Sequence, residues 1–501
     1  MAVSEKKSSL DGGKAATATS GSINLRHDEN NAPAFSIDPK VEARLRRKID
    51  LMVVPTVSLL YLFCFIDRAN IGNAKIAGLE KDLGLTGYDY NALLSIFYIS
   101  YIIFEIPSNI ACKYFGPGWY LPAISLGFGA VSLATAFVED FAQAAGVRFL
   151  LGMFEAGMLP GISYYLSRFY RRSELTFRLA LFIVMAPMAG AFGGLLASAI
   201  LTLDSVGTVK SWRMIFIVEG IITCGLALIS FLTLTDRPAS ARWLTPEERE
   251  MAEARVRSER VGQTVVLDRM DKKKLWLGMT SPVTMSTSVI FLLNNITVQG
   301  LAFFAPTIVR TIYPKETTVM QQLYTVPPYV VGGFFTLLLP LISSKIDRRQ
   351  LFIIACPPLT MIGYIMFLAS VNSSVRYAAT FLIASSLFCL GPLSNGQVSA
   401  NVVSDTARSS AIGLNVMMGN VGGLISTWSF LPTDAPNYHI GNGLNLATSG
   451  CVLIVAILTH FWMIYDNKKR EGRNAEEELA GMTVEQVEDL DWKHPSFRWK
   501  P

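Results

Sequence analysis

The chain has 501 residues, of which 51% are hydrophobic and only 17% charged, and its mean hydropathy is +0.37. Soluble domains carry roughly 25% charged residues, so this composition excludes an ordinary soluble protein and indicates a chain that lies in the lipid bilayer. The net charge of +5 is small and the basic residues gather at the ends of apolar segments, which argues against a nucleic-acid partner. The six cysteines lie inside apolar segments without CxxC spacing, so we expect small hydrophobic residues there and no disulfide, metal or cofactor.

The N-terminal stretch differs from the rest of the chain. Residues 1–48 are rich in Ser, Ala, Lys and Asp and lack an apolar run, so we expect a disordered cytosolic tail without a cleavable signal peptide. Beyond it, apolar stretches long enough to span a bilayer recur. They lie near residues 51–70, 90–112, 119–138, 141–165, 176–202, 214–234, 282–304, 320–343, 351–370, 377–400, 409–430 and 444–465. The sequence therefore predicts an all-α integral membrane protein with twelve transmembrane helices.

A hydrophilic stretch divides the spans into two groups of six. It covers about 235–280, and within it Thr245-Pro-Glu-Glu248 has the pattern of a capping box with proline at the first helical position. We expect an amphipathic helix in this cytosolic loop, an N-terminal bundle over 49–234, a C-terminal bundle over 281–466 and a cytosolic tail over 467–501.

Basic clusters give the orientation of the spans in the membrane. They precede span one and follow spans four, eight and twelve, whereas the loop at Glu139-Asp140 on the other side has no Lys or Arg. Cytoplasmic loops carry an excess of Lys and Arg, so we expect both termini in the cytosol, and the plasma membrane as the location. The clusters are Arg44, Arg46, Arg47 and Lys48; Arg168, Arg171 and Arg172; Lys345, Arg348 and Arg349; and Lys468, Lys469 and Arg470.

Spans five and eleven, which occupy equivalent positions in the two halves, both carry small residues at four-residue spacing. Such residues let helices approach closely, either as gating contacts between the halves or as static packing. They are Ala186, Gly190, Gly194 and Ser198 in span five and Gly419 and Gly423 in span eleven. Two pseudo-symmetric six-helix bundles with such correspondences are typical of a secondary transporter whose site lies between the halves.

Span four contains two ionisable residues that lipid should exclude. Arg148 and Glu155 are seven residues apart, so they project from one face of the helix, about 10 Å apart along its axis. An ionisable side chain at the middle of a membrane helix costs roughly 2.5–3.5 kcal/mol on insertion scales. This face must contact protein or water, and it favours a pathway for ions or charged solutes.

Several segments, in order and at matching spacing over roughly residues 45–500, resemble one family. They are 61–74, Phe104-Glu-Ile-Pro-Ser-Asn109, 148–160, Ser211-Trp-Arg213 with Glu219-Gly220, Trp243-Leu-Thr-Pro-Glu-Glu-Arg249, Val326-Pro-Pro-Tyr329, the loop Asp347-Arg348-Arg349 and Phe497-Arg-Trp499. The chain resembles the anion:cation symporter branch of the major facilitator superfamily, in particular its fungal allantoate permease-like members. The resemblance implies the MFS fold and a monomeric proton-coupled symporter of small organic anions, such as vitamin carboxylates or allantoate-like compounds, that works by alternating access.

The same resemblance assigns roles to the charged residues. It gives proton coupling to Asp67 and Glu155, and recognition of the substrate carboxylate to Arg68, whose guanidinium fork matches a carboxylate. Span one runs outward and span four inward, so Asp67 and Arg148 fall at similar depth and are expected to meet. A carboxylate that alternates between an arginine partner and an apolar site would load and release a proton. The alternative is a permanent ion pair that only holds spans one and four together.

Polar residues in other spans are weaker candidates for contacts with the solute. Asn295 and Gln299 share one face of span seven, Gln397 lies on span ten, Asn415 on span eleven, and Asn70 follows Arg68 in the first matching segment. Neutral donors and acceptors of this kind orient a bound solute. Interhelical hydrogen bonding explains the same residues equally well.

Four further features of the sequence bear on the function. The region of Gly396-Gln397 lacks the tryptophan common in the family, which leaves the shape of the pocket and the substrate open. Span five holds only a partial form of the Gly-Pro element of exporters, in Ala186-Pro187 to Ala191, so an MFS exporter of a drug or secondary metabolite is the alternative function. The four histidines are scattered, which argues against an enzyme. Glu105 in span two is expected to pair with loop arginines.

Overall fold

The computed structural model describes residues 39–170, 172–202, 211–258, 272–472, 475–479, 481–482, 487 and 490–501. The tail predicted over 1–48 lies outside the described residues up to 38. From Pro39 onward the chain is helical, so the last ten residues of the expected tail belong to the first helix instead. The physical reason is that Leu45 and Ile49, one turn apart, are both buried and dock this basic segment onto the bundle.

The described chain is all helical apart from turns and loops. Its first half contains α1 Pro39–Ile76, α2 Leu79–Asp82, α3 Asp89–Phe115, α4 Pro117–Thr135, α5 Phe141–Glu155, α6 Met158–Phe169, α7 Arg172–Ile183, α8 Met185–Leu201 and α9 Ser211–Thr233. The connection holds α10 Pro246–Ser258 and α11 Lys272–Met279. The second half contains α12 Pro282–Ile312, α13 Thr318–Leu323, α14 Val326–Ile346, α15 Arg349–Ala369, α16 Ser373–Leu387, α17 Leu390–Ala400, α18 Asp405–Ser426 and α19 His439–Glu471, followed by α20 Ala475–Leu479.

These helices form the twelve predicted spans, because four spans consist of two helices separated by a break. The pairs α5 and α6, α7 and α8, α13 and α14, and α16 and α17 each make one span. Ten spans have the length and hydropathy of membrane helices in the described chain. The other two, α4 and α18, carry enough Gly, Ser, Pro or Asn to fall short by hydropathy.

The capping box predicted in the central loop is confirmed. The backbone N–H of Glu248 donates to Thr245 Oγ1 at 3.3 Å, and the Glu248 carboxylate accepts from the backbone N–H of Thr245 at 2.9 Å. The short ionic contact of Lys48 with Glu248, 2.6 Å long, holds α10 against α1. The hydrogen bond from Lys48 and the positive charge of its ammonium group keep the pKa of the Glu248 carboxyl below its usual range.

The two halves meet at one end of the bundle. We call the end that carries the start of α1 and the end of α19 the terminal side, and the opposite end the distal side. On the distal side Ser95 of α3 hydrogen-bonds Thr427 at 2.7 Å, and the indole of Trp428 donates to Ser95 at 2.9 Å. A Cβ added to Gly72 of α1 would lie 2.5 Å from the carbonyl oxygen of Phe303 in α12. The distal side is therefore closed in this conformation.

The small residues of spans five and eleven lie mostly at this junction. A Cβ on Gly190 would lie 2.6 Å from the ring of Tyr329, one on Gly194 2.8 Å from Thr325, and one on Gly423 2.5 Å from Tyr98, in each case across the two halves. Gly419 instead faces Phe291 of its own half. Of the four glycines among these small residues, three therefore lie in close contacts between the halves and one packs within its own half.

Candidate functional site

A buried ion pair lies at the centre of the first half. The Arg68 guanidinium on α1 donates from Nη2 and Nε to one oxygen, Oε2, of Glu155 on α5, at 2.9 and 3.2 Å. Both side chains are buried, at 5% and 0% exposure. The guanidinium carbon also lies over the rings of Phe65, Phe97 and Tyr101, at 4.6, 5.1 and 5.0 Å. These rings supply cation–π attraction and hold the guanidinium in one orientation.

Glu155 occupies a special position in its span. It is the last residue of α5, and the span is broken by a turn before α6 begins at Met158. Its second oxygen, Oε1, is buried and has no hydrogen-bond partner among the described residues. Broken helices near the membrane midplane are a common way for transporters to build solute and ion sites. One carboxylate oxygen is therefore held by Arg68 while the other has spare capacity.

Arg68 also faces a small cavity between the two halves. The first half contributes α1 and α8 to its wall, and the second half contributes α12, α14 and the break between α16 and α17. The lining residues are Phe65, Arg68, Ala69, Ala186, Gly190, Val298, Gln299, Ala302, Tyr329 and Phe388. The walls of this cavity are mostly apolar, and the polar groups among its lining residues are one guanidinium, one amide and one tyrosine hydroxyl.

The expected meeting of Asp67 with Arg148 does not occur in this conformation. Asp67 Oδ1 instead accepts a hydrogen bond from Ser132 of α4 at 2.7 Å, and no described hydrogen bond or ion pair links it to Arg148. Successive residues on a helix project about 100° apart, so Arg68 faces α5 while Asp67 faces α4. Of the two acids expected to couple protons, Glu155 is the one that forms an ion pair with an arginine, and that arginine is Arg68.

Among the neutral candidates, Gln299 lies in the cavity. Its Oε1 is buried without a hydrogen-bond partner in the described chain. Asn70 accepts from Asn73 at 3.0 Å, one turn along the same helix, and Asn295 donates to the carbonyl of Phe291 at 2.9 Å in its own helix. Neither lines the cavity. The hydrogen bonds of both side chains stay within their own helices in this conformation.

The remaining two candidates also hydrogen-bond elsewhere. Gln397 donates to the carbonyl of Lys500 in the C-terminal segment at 2.8 Å, and Asn415 donates to Asn395 at 2.8 Å. The C-terminal segment covers the terminal side of the second half, where Trp499 is 2% exposed. Gln397 therefore anchors the tail rather than facing the cavity.

Glu105 does not pair with loop arginines, contrary to the expectation from the sequence. Its Oε2 accepts from Asn420 of α18 at 3.0 Å, and both side chains are buried. This contact joins the two halves, closer to the terminal side than the distal junction is. The reason is that Glu105 lies on the face of α3 that packs against α18, as does Ser95 nearer the start of α3. Sequence spacing alone gave no sign of the partner.

The fold is that of a polytopic helical membrane protein whose two halves enclose a cavity. The chain belongs to the Major Facilitator Superfamily, which it matches over residues 57–427. It is a multi-pass membrane protein and a secondary transporter, not an enzyme.

Relatives in fungi cover almost the whole chain. An uncharacterized transporter of Schizosaccharomyces pombe is 32% identical over 470 residues, which are 93% of this chain and 91% of that protein. The high-affinity nicotinic acid transporter of Saccharomyces cerevisiae is 30% identical over 475 residues, which are 94% of this chain and 87% of that protein.

Solved structures show the same fold at low identity. A bacterial homologue of the human lysosomal transporter Spinster, in an inward-facing and unoccupied conformation, matches with a TM-score of 0.61 at 14% identity, covering 81% of this chain and 94% of that one. The xylose transporter XylE of E. coli, in a partially occluded inward open conformation, matches with a TM-score of 0.60 at 13% identity, covering 79% and 96%.

Proposed function

We propose that the chain is a proton-coupled symporter of a small organic anion, of the anion:cation symporter type, in the plasma membrane with its terminal side in the cytosol. The observation that carries the proposal is the Arg68–Glu155 pair beside the cavity. A guanidinium in the wall of an apolar cavity selects an anion, and a buried carboxylate bound to it offers a site for a proton.

The geometry suggests how the two would be linked. In this conformation Glu155 neutralises Arg68 at 2.9 Å. A solute carboxylate that enters the cavity competes for the same guanidinium, and Arg68 suits it because its fork binds a carboxylate through two parallel hydrogen bonds. Glu155 then loses its cation in an apolar site. A carboxylate in that position takes up a proton, so the anion and the proton bind together.

The character of the cavity suggests the class of solute. Its aromatic walls, Phe65, Tyr329 and Phe388, suit a flat or compact apolar body, and Gln299 offers a neutral donor and acceptor. We therefore propose a monocarboxylate with an aromatic or short aliphatic body. The similarity to a nicotinic acid transporter supports this class.

The test is uptake of a panel of labelled small carboxylates by cells that lack their own permeases, at two external pH values. The control solute is the amide of each acid, which keeps the shape and lacks the charge. We expect uptake of one or more acids to rise as external pH falls and to collapse with a protonophore, and the amides not to accumulate. Concentrative uptake that persists without a proton gradient would rule out symport, and export of preloaded solute would favour the exporter alternative.

A further inference from the structure

A second buried acid lies close to Asp67, on the last helix of the first half. Glu219 on α9 is 0% exposed, and neither of its carboxyl oxygens has a hydrogen-bond partner among the described residues. The Oδ2 atom of Asp67 is likewise buried and unpartnered there. Buried polar groups are nearly always hydrogen-bonded, so three unpartnered carboxyl oxygens in one region require an explanation.

The packing of three helices brings the two acids together. Ser132 of α4 donates to Asp67 of α1. One residue along α4, Leu133 meets Gly220 of α9 so closely that a Cβ on the glycine would lie 2.8 Å from the backbone nitrogen of Leu133. Glu219 directly precedes that glycine, so it and Ser132 flank the same helix crossing, and the charge that acts on Glu219 is that of Asp67.

The surroundings contain little positive charge for two acids. Besides Glu219, the charged or titratable groups that interact with Asp67 are Arg148 and Glu155 of span four and the thiols of Cys64 on α1 and Cys224 on α9. None of them forms a described hydrogen bond or ion pair with either Asp67 or Glu219. An uncompensated buried carboxylate is very costly, and two adjacent carboxylates in one apolar site cannot both be ionised without a large penalty.

We propose that Asp67 and Glu219 form a carboxyl dyad that binds one exchangeable proton between them, and that Glu219 is the residue that tunes this proton site. The proposal rests on the proposed function, because the proton of the dyad is one that symport would move. Glu219 acts on the reaction through Asp67 and does not touch the solute: the cavity beside Arg68 is lined by other residues. The dyad is thus distinct from the Arg68–Glu155 pair, which responds to the anion.

The test is the pH profile of carboxylate uptake by Glu219→Gln, a change that keeps the volume and removes the titration. Glu219→Gln removes a negative charge that favours the binding of a proton at Asp67, so Asp67 then binds a proton less tightly. Two acids that interact strongly titrate about one unit or more apart. We expect the external pH of half-maximal uptake to fall by about one unit or more, with the maximal rate at acid pH retained. The matched control is Thr223→Val, one turn along α9, where Thr223 is also buried with an unpartnered hydroxyl. It should keep the wild-type profile.

The outcomes separate the two proposals. A wild-type carrier that is driven by protons, with Glu219→Gln showing the wild-type profile, would overturn the dyad alone. A wild-type carrier indifferent to pH and protonophore would overturn symport and the dyad together.

A second measurement uses the unmodified protein, in case Glu219→Gln does not reach the membrane. A lipophilic carbodiimide reacts with protonated carboxyls, and mass spectrometry locates the adduct. One adduct per molecule on either Asp67 or Glu219, decreasing as pH rises, is expected. Two adducts on the dyad, or none at acid pH, would contradict a single shared proton.

Discussion

Replacing Gly72 by alanine should open the distal side of the carrier. In the closed arrangement the new Cβ would lie 2.5 Å from the carbonyl oxygen of Phe303 and 3.3 Å from its carbonyl carbon. An ordinary carbon–oxygen contact between backbones is about 3.3–3.6 Å, so α1 and α12 must separate by about 1 Å. The obstacle is backbone, which cannot rotate away as a side chain does.

The cost follows from the overlap. Inserting a methyl group into a tight contact costs about 1–3 kcal/mol, and it falls only on the state in which the distal side is closed. A difference of that size changes the ratio of two conformations about 5- to 150-fold. Gly72→Ala should therefore increase the distally open population by that factor, without loss of folded protein.

The assay is thiol labelling from the distal side. Ser95, 8% exposed within the distal junction, is replaced by cysteine in a chain whose six native cysteines have been changed to alanine, and a membrane-impermeant maleimide is added. The hydrogen bonds of Ser95 to Thr427 and Trp428 are lost equally in all variants that are compared. Gly225→Ala in α9 is the control, because a Cβ there meets nothing within 4 Å. We expect faster labelling with Gly72→Ala and no change with Gly225→Ala. Equal labelling rates in the two correctly inserted variants would refute the distal closure described here.

Three other changes have defined outcomes. Arg68→Lys keeps the charge and loses the fork, so the KM for the carboxylate should rise by the equivalent of about 1–3 kcal/mol; an unchanged KM in labelled uptake would remove Arg68 from the solute site. Gln299→Leu removes a buried amide from the cavity and should weaken solute binding by about 1–3 kcal/mol, read as KM with surface abundance as the control. Trp499→Ala removes a buried indole and its 2.6 Å hydrogen bond to Asp466, so the free energy of unfolding should fall by about 3–5 kcal/mol. The measurement is thermal unfolding of the purified protein, and an unchanged unfolding midpoint would mean that the C-terminal segment does not stabilise the second half.

The span pattern could be predicted from sequence because hydropathy and length are local properties. The helices α4 and α18 were predicted as spans from their apolar stretches, although their mean hydropathy is below that of the ten helices that qualify as membrane spans in the described chain. The capping box of Thr245 and Glu248 is likewise a local pattern, and the structure confirms it.

The pairing of charges could not be predicted in the same way. Depth along the spans placed Asp67 near Arg148, but the rotation of α1 about its axis turns Asp67 toward Ser132 and gives Arg68 to Glu155. That rotation is set by packing over the whole bundle, so the spacing of residues in the sequence does not predict it.

Gln397 shows a second limit of sequence reasoning. The sequence marked it as a candidate contact for the solute, but in the structure it donates to the carbonyl of Lys500, more than a hundred residues further along. The motif Phe497-Arg-Trp499 was visible in the sequence, but nothing local indicated that it folds back onto the second half. Long-range partners of this kind require the tertiary structure.

The central claim, that Glu155 exchanges a proton when an anion takes Arg68, is tested most directly by Glu155→Gln. Surface abundance, pH-driven uptake and counterflow of labelled solute are measured in one strain, with Glu155→Asp as the control that keeps a titratable group. We expect normal abundance, no uphill accumulation and surviving counterflow, because the rings of Phe65, Phe97 and Tyr101 still hold the guanidinium. Loss of Glu155→Gln from the membrane would contradict this expectation and show that the ion pair is needed to hold the spans together, because removing one partner of a buried ion pair can cost about 3–5 kcal/mol. Normal abundance with intact uphill accumulation would contradict the coupling role outright.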